Sequence, residues 1–348
     1  MRDIVPFAAE ICLVAGAILI AVLSNRAGER LRVPAPAIFL IAAAVTSELF
    51  PTLRSLPLQR DERIVTVALI FILFDGGMHI GWSRFRTAAG AVVWVGVAGT
   101  VVTAAALALA AHSLFGFDWR TALLIGTALA PTDPAVVFSV LGRREISGRS
   151  GVILEGESGT NDPVGIAVMV SLLGATGSGV DAVLGGVGEF GLQMAVGAGV
   201  GIAGGYGLLQ LMRRVPLPNE ALYPLRTLAC AALIYGGATL LHGSGFLAVF
   251  MAGILLGDAR APYKREIEHF SSGVASLSEI VAFTVLGLTV PLQDVLQAGS
   301  LWTGLTLAAL LILVVRPLFV GLLLVGVDLD RGERAFVLWA GLKGAVPI

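Results

Sequence analysis

Apolar runs close to twenty residues long recur about twelve times along this chain, and twenty is the length that crosses a bilayer. They fall at 5–24, 34–50, 63–79, 88–113, 119–140, 152–175, 181–212, 222–241, 243–257, 274–292, 299–326 and 334–348. Lipid offers a backbone no hydrogen-bond partner, so runs of this length must close their bonds internally as helices. The expected fold is therefore an all-α polytopic membrane protein. Charge supports it: only 14% of residues are charged, against about 25% in soluble domains. Glycine, at 44 residues, suits helices that pack closely in a membrane.

The same figures narrow the function. A net charge of −1 gives no basic footprint for nucleic acid. Cys12 and Cys230 sit in apolar runs as small core residues, and His79, His112, His242 and His269 lack metal-ligand spacing. Nothing calls for a resident cofactor. The N-terminal run carries Glu10 and has no small-residue cleavage site after it, so it reads as a retained first span rather than a signal peptide.

Arginine and lysine alternate between connections. Arg143, Arg144 and Arg149 follow the fifth span; Arg213 and Arg214 follow the seventh; Arg260, Lys264 and Arg265 follow the ninth; Arg331 and Arg334 follow the eleventh. The connections after the sixth, eighth and tenth have none. Positive charge marks the cytoplasmic face, so the odd connections lie inside and the N-terminus outside. Arg26, Arg30, Arg32, Arg84 and Arg86 agree. The connection with Arg54, Arg60 and Arg63 does not, although Asp61 and Glu62 adjoin two of them. The chain's final "GLKGAVPI" falls within a span, so at least one more helix is expected to follow it.

Ionisable residues at membrane depth are costly, and they default to function with a partner. They are Asp75, Asp133, Glu155, Glu157, Asp162, Glu279, Arg316 and Lys343. Glu155 and Glu279 lie close to predicted ends, where a side chain reaching the interface explains them as well. Asp133 and Asp162 lie deep. In "ALAPTDPAVV", Pro131 and Pro134 bracket Thr132 and Asp133 and interrupt the helix, freeing carbonyls that can face a cation. In "GESGTNDPVGI", Ser158 and Asp162 share one face, and Pro163 releases the Gly159 carbonyl on that turn, a second interruption. Hydroxyl, carboxylate and carbonyl oxygens suit a hard monovalent cation rather than a transition metal. Gly341, Gly344 and Pro347 interrupt the last run around Lys343. The fifth and twelfth spans run in opposite directions, and paired broken helices in inverted halves point to a secondary transporter with its site at the midplane.

Taken together, "PTDP", "ESGTNDP", "RPL" at 316–318 and "GLKG" at 341–344 resemble the NhaP-type monovalent cation:proton antiporters. "LFDGGMH" and "LEGESGTNDP" look most like the bacterial potassium/proton branch associated with cell-volume regulation. The resemblance covers essentially the whole chain. It implies a sodium/hydrogen exchanger-type transmembrane domain over 1–348, thirteen helices in a full chain with the N-terminus outside, a bacterial inner-membrane location and a homodimer. It makes Asp162 the carboxylate that binds cation or proton, with Ser158, Thr132 and Asp133 completing the site; the cation would sit at Asp162, Ser158 and Thr132. Asn161 stands where electrogenic relatives have a second aspartate, which implies electroneutral exchange. Glu157 with Arg316, and Asp75 with Lys343, become structural ion pairs. The family usually has arginine at the last of these positions, and lysine lacks its bidentate fork.

Two other classes use similar parts. An intramembrane aspartyl protease needs two membrane aspartates, but its Gly-x-Gly-Asp signature is absent. A passive channel also uses broken helices and oxygen ligands, whereas a titratable carboxylate in the site favours proton coupling. K⁺ and Na⁺ are not distinguished by these residues.

Overall fold

The computed structural model describes residues 8, 15–16, 19, 22–23, 35–50, 58–132, 149–174, 180–327 and 329–341, with the side chains of 149, 180–184 and 298 left aside. Every regular element in these residues is a helix. In chain order they are α1 (Ala35–Leu49), α2 (Leu58–Ile80), α3 (Trp82–Phe115), α4 (Trp119–Leu129), α5 (Arg149–Gly174), α6 (Val180–Arg214), α7 (Leu222–Leu240), α8 (Gly245–Gly257), α9 (Lys264–Thr289), the single turn α10 (Leu292–Val295), α11 (Ala298–Leu310, continuing without a break through Leu324) and α12 (Arg331–Trp339). Among the described residues, α2, α3, α6, α9 and α11 contain stretches long and apolar enough to cross a membrane.

Several boundaries depart from the apolar pattern for identifiable reasons. α9 begins ten residues before its predicted span, because "KREIEHFSS" forms a charged amphipathic start held by a Lys264–Glu268 pair at 2.9 Å. Part of the expected connection between the ninth and tenth spans is therefore helix. Arg60 and Arg63 belong to the first turns of α2 rather than to a loop. α3 and α11 each contain a π-helical stretch, Trp94–Gly99 and Leu311–Val320.

α5 is the centre of the assembly. It is too polar to pass as a lipid-facing span, and it packs against α2, α3, α4, α6, α8 and α12. From Ser150 to Gly165 every residue except Glu155 is buried. Helices around it approach closely where glycine removes a side chain. A Cβ on Gly253 of α8 would run into the Phe74 carbonyl of α2, and one on Gly77 of α2 into the Phe250 carbonyl of α8. Backbone-to-backbone approach of this kind holds membrane helices together where lipid and core are equally apolar. Phe250 then reaches past Gly159 on α5, whose missing side chain leaves room for the ring.

The basic turns near Arg84, Arg226 and Tyr263 gather at one end, whereas Arg60 and Arg63 start α2 at the other. Arg84 reaches Glu155 of α5; Arg226 donates to the Val215 carbonyl at 2.7 Å; and the Tyr223 and Tyr263 rings meet at 4.6 Å, joining the start of α7 to the start of α9. The opposite end holds the α3–α4 turn, where His112 stacks on Trp119 and the Asp118 carboxylate accepts the Thr121 N–H. The hydrogen bonds from Thr121 hold the Asp118 carboxyl below its ordinary range.

Candidate functional site

α4 stops where proline requires it. Helix ends at Leu129, Ala130 bends, and Pro131 and Thr132 continue as non-helical backbone. Pro131 lies against Gly165 of α5, where a side chain would collide with the ring. This contact brings Thr132 beside the polar face of α5. α5 itself is not broken: it is helical throughout, with Pro163 inside. The expectation of an interruption there is corrected. Burial on every side by neighbouring helices holds the turn that the missing N–H would otherwise weaken.

Thr132, Asn161, Glu157 and Arg316 form one connected group. Asn161 Nδ2 donates to Thr132 Oγ1 at 2.7 Å, and the Thr132 hydroxyl lies 3.5 Å from Glu157 Oε1. Arg316 Nη1 and Nη2 donate to Glu157 Oε1 and Oε2 at 3.0 and 3.3 Å, a two-pronged pairing. Both residues are buried. Arg316 also donates from Nε to the Leu338 carbonyl at 3.0 Å and from Nη2 to the Val337 carbonyl at 3.1 Å. Those carbonyls belong to the last turn of α12, which has no helical partner for them, and a cation there also complements the helix dipole. Gly341 lies against the guanidinium with no room for a side chain. Arg316 thus neutralises a carboxylate of α5 and caps α12.

Ser158 and Asp162 are buried on α5, four residues apart, on one side of the helix. Beside them, Asn161 Oδ1 is buried with no hydrogen-bond donor among the described residues. The described part of the centre therefore supplies hydroxyl, amide and carboxylate oxygens, the donor types that suit a hard cation rather than a soft one. Asp133 and Lys343 lie outside the described residues.

Asp75 sits elsewhere, on α2. Its Oδ1 accepts the Ser272 hydroxyl at 3.1 Å, and its Oδ2 lies 3.3 Å from His79 Nδ1. The expected partner was a cation of the last span. That cation, Lys343, lies outside the described residues; the described partners come from its own helix and from α9. Glu155 faces Arg84 at 3.7 Å near the basic end. Glu279 is half-buried on α9.

Sequence reasoning missed the Val337 and Leu338 carbonyls that hold Arg316, and His79 and Ser272 beside Asp75. Backbone acceptors leave no mark in a sequence. His79 carried a signal, four residues after an aspartate on a helix, that spacing for metals alone did not detect.

Comparison with known proteins agrees with this architecture. The sequence matches the family described as "Sodium/hydrogen exchanger, transmembrane" over residues 15–348. It is 35% identical over 335 residues to the K(+)/H(+) antiporter NhaP of Alkalimonas amylolytica, covering 95% of this chain and 58% of that protein. It is 34% identical over 341 residues to the K(+)/H(+) antiporter NhaP2 of Shewanella sp. strain MR-4, covering 96% and 58%. The chain thus spans 58% of the length of these curated relatives. The fold superposes on the sodium proton antiporter MjNhaP1 of Methanocaldococcus jannaschii with a TM-score of 0.78 at 24% identity, over 98% of this chain and 86% of the other. With a family match running almost end to end and a matching helical fold around the polar α5, the chain belongs to the sodium/hydrogen exchanger family of cation/proton antiporters.

Proposed function

We propose that this chain forms the membrane part of an antiporter that exchanges K⁺ or Na⁺ for H⁺, with Asp162 holding cation and proton in alternation. The observation that carries the reading is the chemistry around that carboxylate. Glu157 is offset by Arg316, Asn161 is tied through its amide nitrogen to Thr132, and the Asn161 oxygen faces no described donor. A cation entering beside Asp162 meets oxygen from Ser158, Thr132 and Asn161, with Asp133 as a further ligand. With Asn161 uncharged, Glu157 neutralised and Asp162 taken as the one carboxylate that exchanges its proton, one monovalent ion replaces one proton and exchange is electroneutral. Of the two cations, the names of the relatives favour K⁺.

The same reading makes residues 1–348 one transmembrane domain of about twelve spans, built from inverted halves around the α4 and α12 breaks. It sits in a bacterial inner membrane as a homodimer, with the N-terminus outside and the basic turns in the cytoplasm.

The test is dequenching of a pH-sensitive dye in vesicles, with each cation added separately. Wild type collapses the pH gradient with saturation, and acidification raises the apparent cation constant because protons occupy the same carboxylate. Asp162→Asn abolishes exchange without loss of the folded protein. Retained exchange by that variant would move the chemistry elsewhere, with Asp133 next. Cation flux that leaves the pH gradient untouched would identify a channel instead.

A further inference from the structure

Two cavities lie at opposite ends of α8. The one at the basic end, about 640 Å³, is lined by Asp75, His79, Arg84, Asp258 and Glu268. The other, about 220 Å³, lies between α5, α6, α7 and the turn entering α8. Its polar lining includes Glu189, Gln193, His242 and Ser244, and α5 contributes Ile166 and Ala167. Ile166 is one helical turn beyond Asp162 on the same face, a rise of about 6 Å. The smaller cavity therefore ends against the turn of α5 that follows the exchange carboxylate.

Its sidedness follows from α6. Arg213 and Arg214 close that helix at the basic end, and Glu189 lies about 36 Å back along its axis. That exceeds the roughly 30 Å hydrocarbon core, so the cavity belongs to the outer surface. Among the described residues that line it, Glu189 is the only carboxylate, and no lysine or arginine is present. Glu189 is fixed on the wall: the buried Gln193 donates from Nε2 to its Oε1 at 3.2 Å, while the Gln193 carbonyl accepts the Ser244 N–H at 2.8 Å. At ~30 Å³ per water, the volume accepts a monovalent ion with about six waters.

From this we infer that the cavity is the outer vestibule of the exchanger, and that Glu189 draws a hydrated monovalent cation into it before transfer past Ile166 and Ala167 to Asp162. The inference rests on the exchange reading for Asp162. A carboxylate on a low-dielectric wall raises the local cation concentration without becoming a ligand in the central site.

The experiment uses the whole protein, reconstituted in one orientation, with K⁺ or Na⁺ added from either face and a pH dye on the other. Glu189→Gln is expected to raise the apparent constant for outer cation about threefold to tenfold at low ionic strength, with maximal rate and the inner constant unchanged. An impermeant salt should shrink the difference, and Glu189→Asp should restore it. A purely structural role would lower the maximal rate and ignore salt. An unchanged outer constant, or a change confined to the inner face, overturns the assignment. Asp162→Asn run in parallel separates the two ideas. If it still exchanges, the central site is misassigned; if it is inactive while Glu189→Gln is silent, only the vestibule fails.

Discussion

Glu155 and Glu157 are two residues apart on one helix and meet arginines of opposite character. Two steps turn an α-helix by about 200°, so their side chains leave on nearly opposite sides. Glu157 points into the bundle, where Arg316 grips both its oxygens and everything around is buried. Glu155 points toward the basic end, where a half-exposed Arg84 stands 3.7 Å away. The formal charges are the same in both pairs. What differs is the cost of separation: the half-exposed Arg84 and the outer part of Glu155 keep contact with water, but inside the bundle nothing replaces a lost partner.

The inner pair gives the largest expected effect on stability. Arg316→Ala and Glu157→Gln should each destabilise by about 3–5 kcal/mol, read as thermal unfolding in detergent. Arg316→Ala should be the worse, because it also strips the Val337 and Leu338 carbonyls of their donor. The double variant should lie well short of the sum, and strict additivity would show that the two residues act independently. Arg316→Lys should come next, at roughly 1–3 kcal/mol. It keeps the charge but cannot hold Glu157 and both carbonyls with one ammonium. At the rim, Arg84→Ala or Glu155→Gln should cost at most about 1 kcal/mol, and the loss should vanish in high salt. A salt-insensitive loss there would mean that the buried Oε2 of Glu155, rather than the exposed Arg84, sets the strength of the pair.

What the sequence made legible follows the same division. Apolar run length located the long spans, and Pro131 marked the stop of α4, because both act through the local backbone. Pro163 misled, since the effect of proline on α5 is overruled by helices remote in sequence. The start of α9 was hidden because its first turns are charged, and hydropathy detects lipid rather than helix. Glu157 and Arg316 could be nominated as partners through resemblance, but their 159-residue separation put the pairing geometry beyond any local pattern. The α12 carbonyls that complete the arginine's shell could not be nominated at all.

The π-helical stretch of α3 has a geometric consequence of its own. Each residue of an α-helix advances its facing direction by about 100°, so a widened turn acts as a phase shifter between the two halves of one rod. Before it, Val92 lies against Gly156 of α5; within it, Gly96 admits Thr160; beyond it, Ala104 and Ala108 face Gly126 of α4. A single continuous helix thus serves two neighbours in different directions without a loop. Deleting one residue between Trp94 and Gly99 would restore the ordinary phase and turn one of those faces away from its partner.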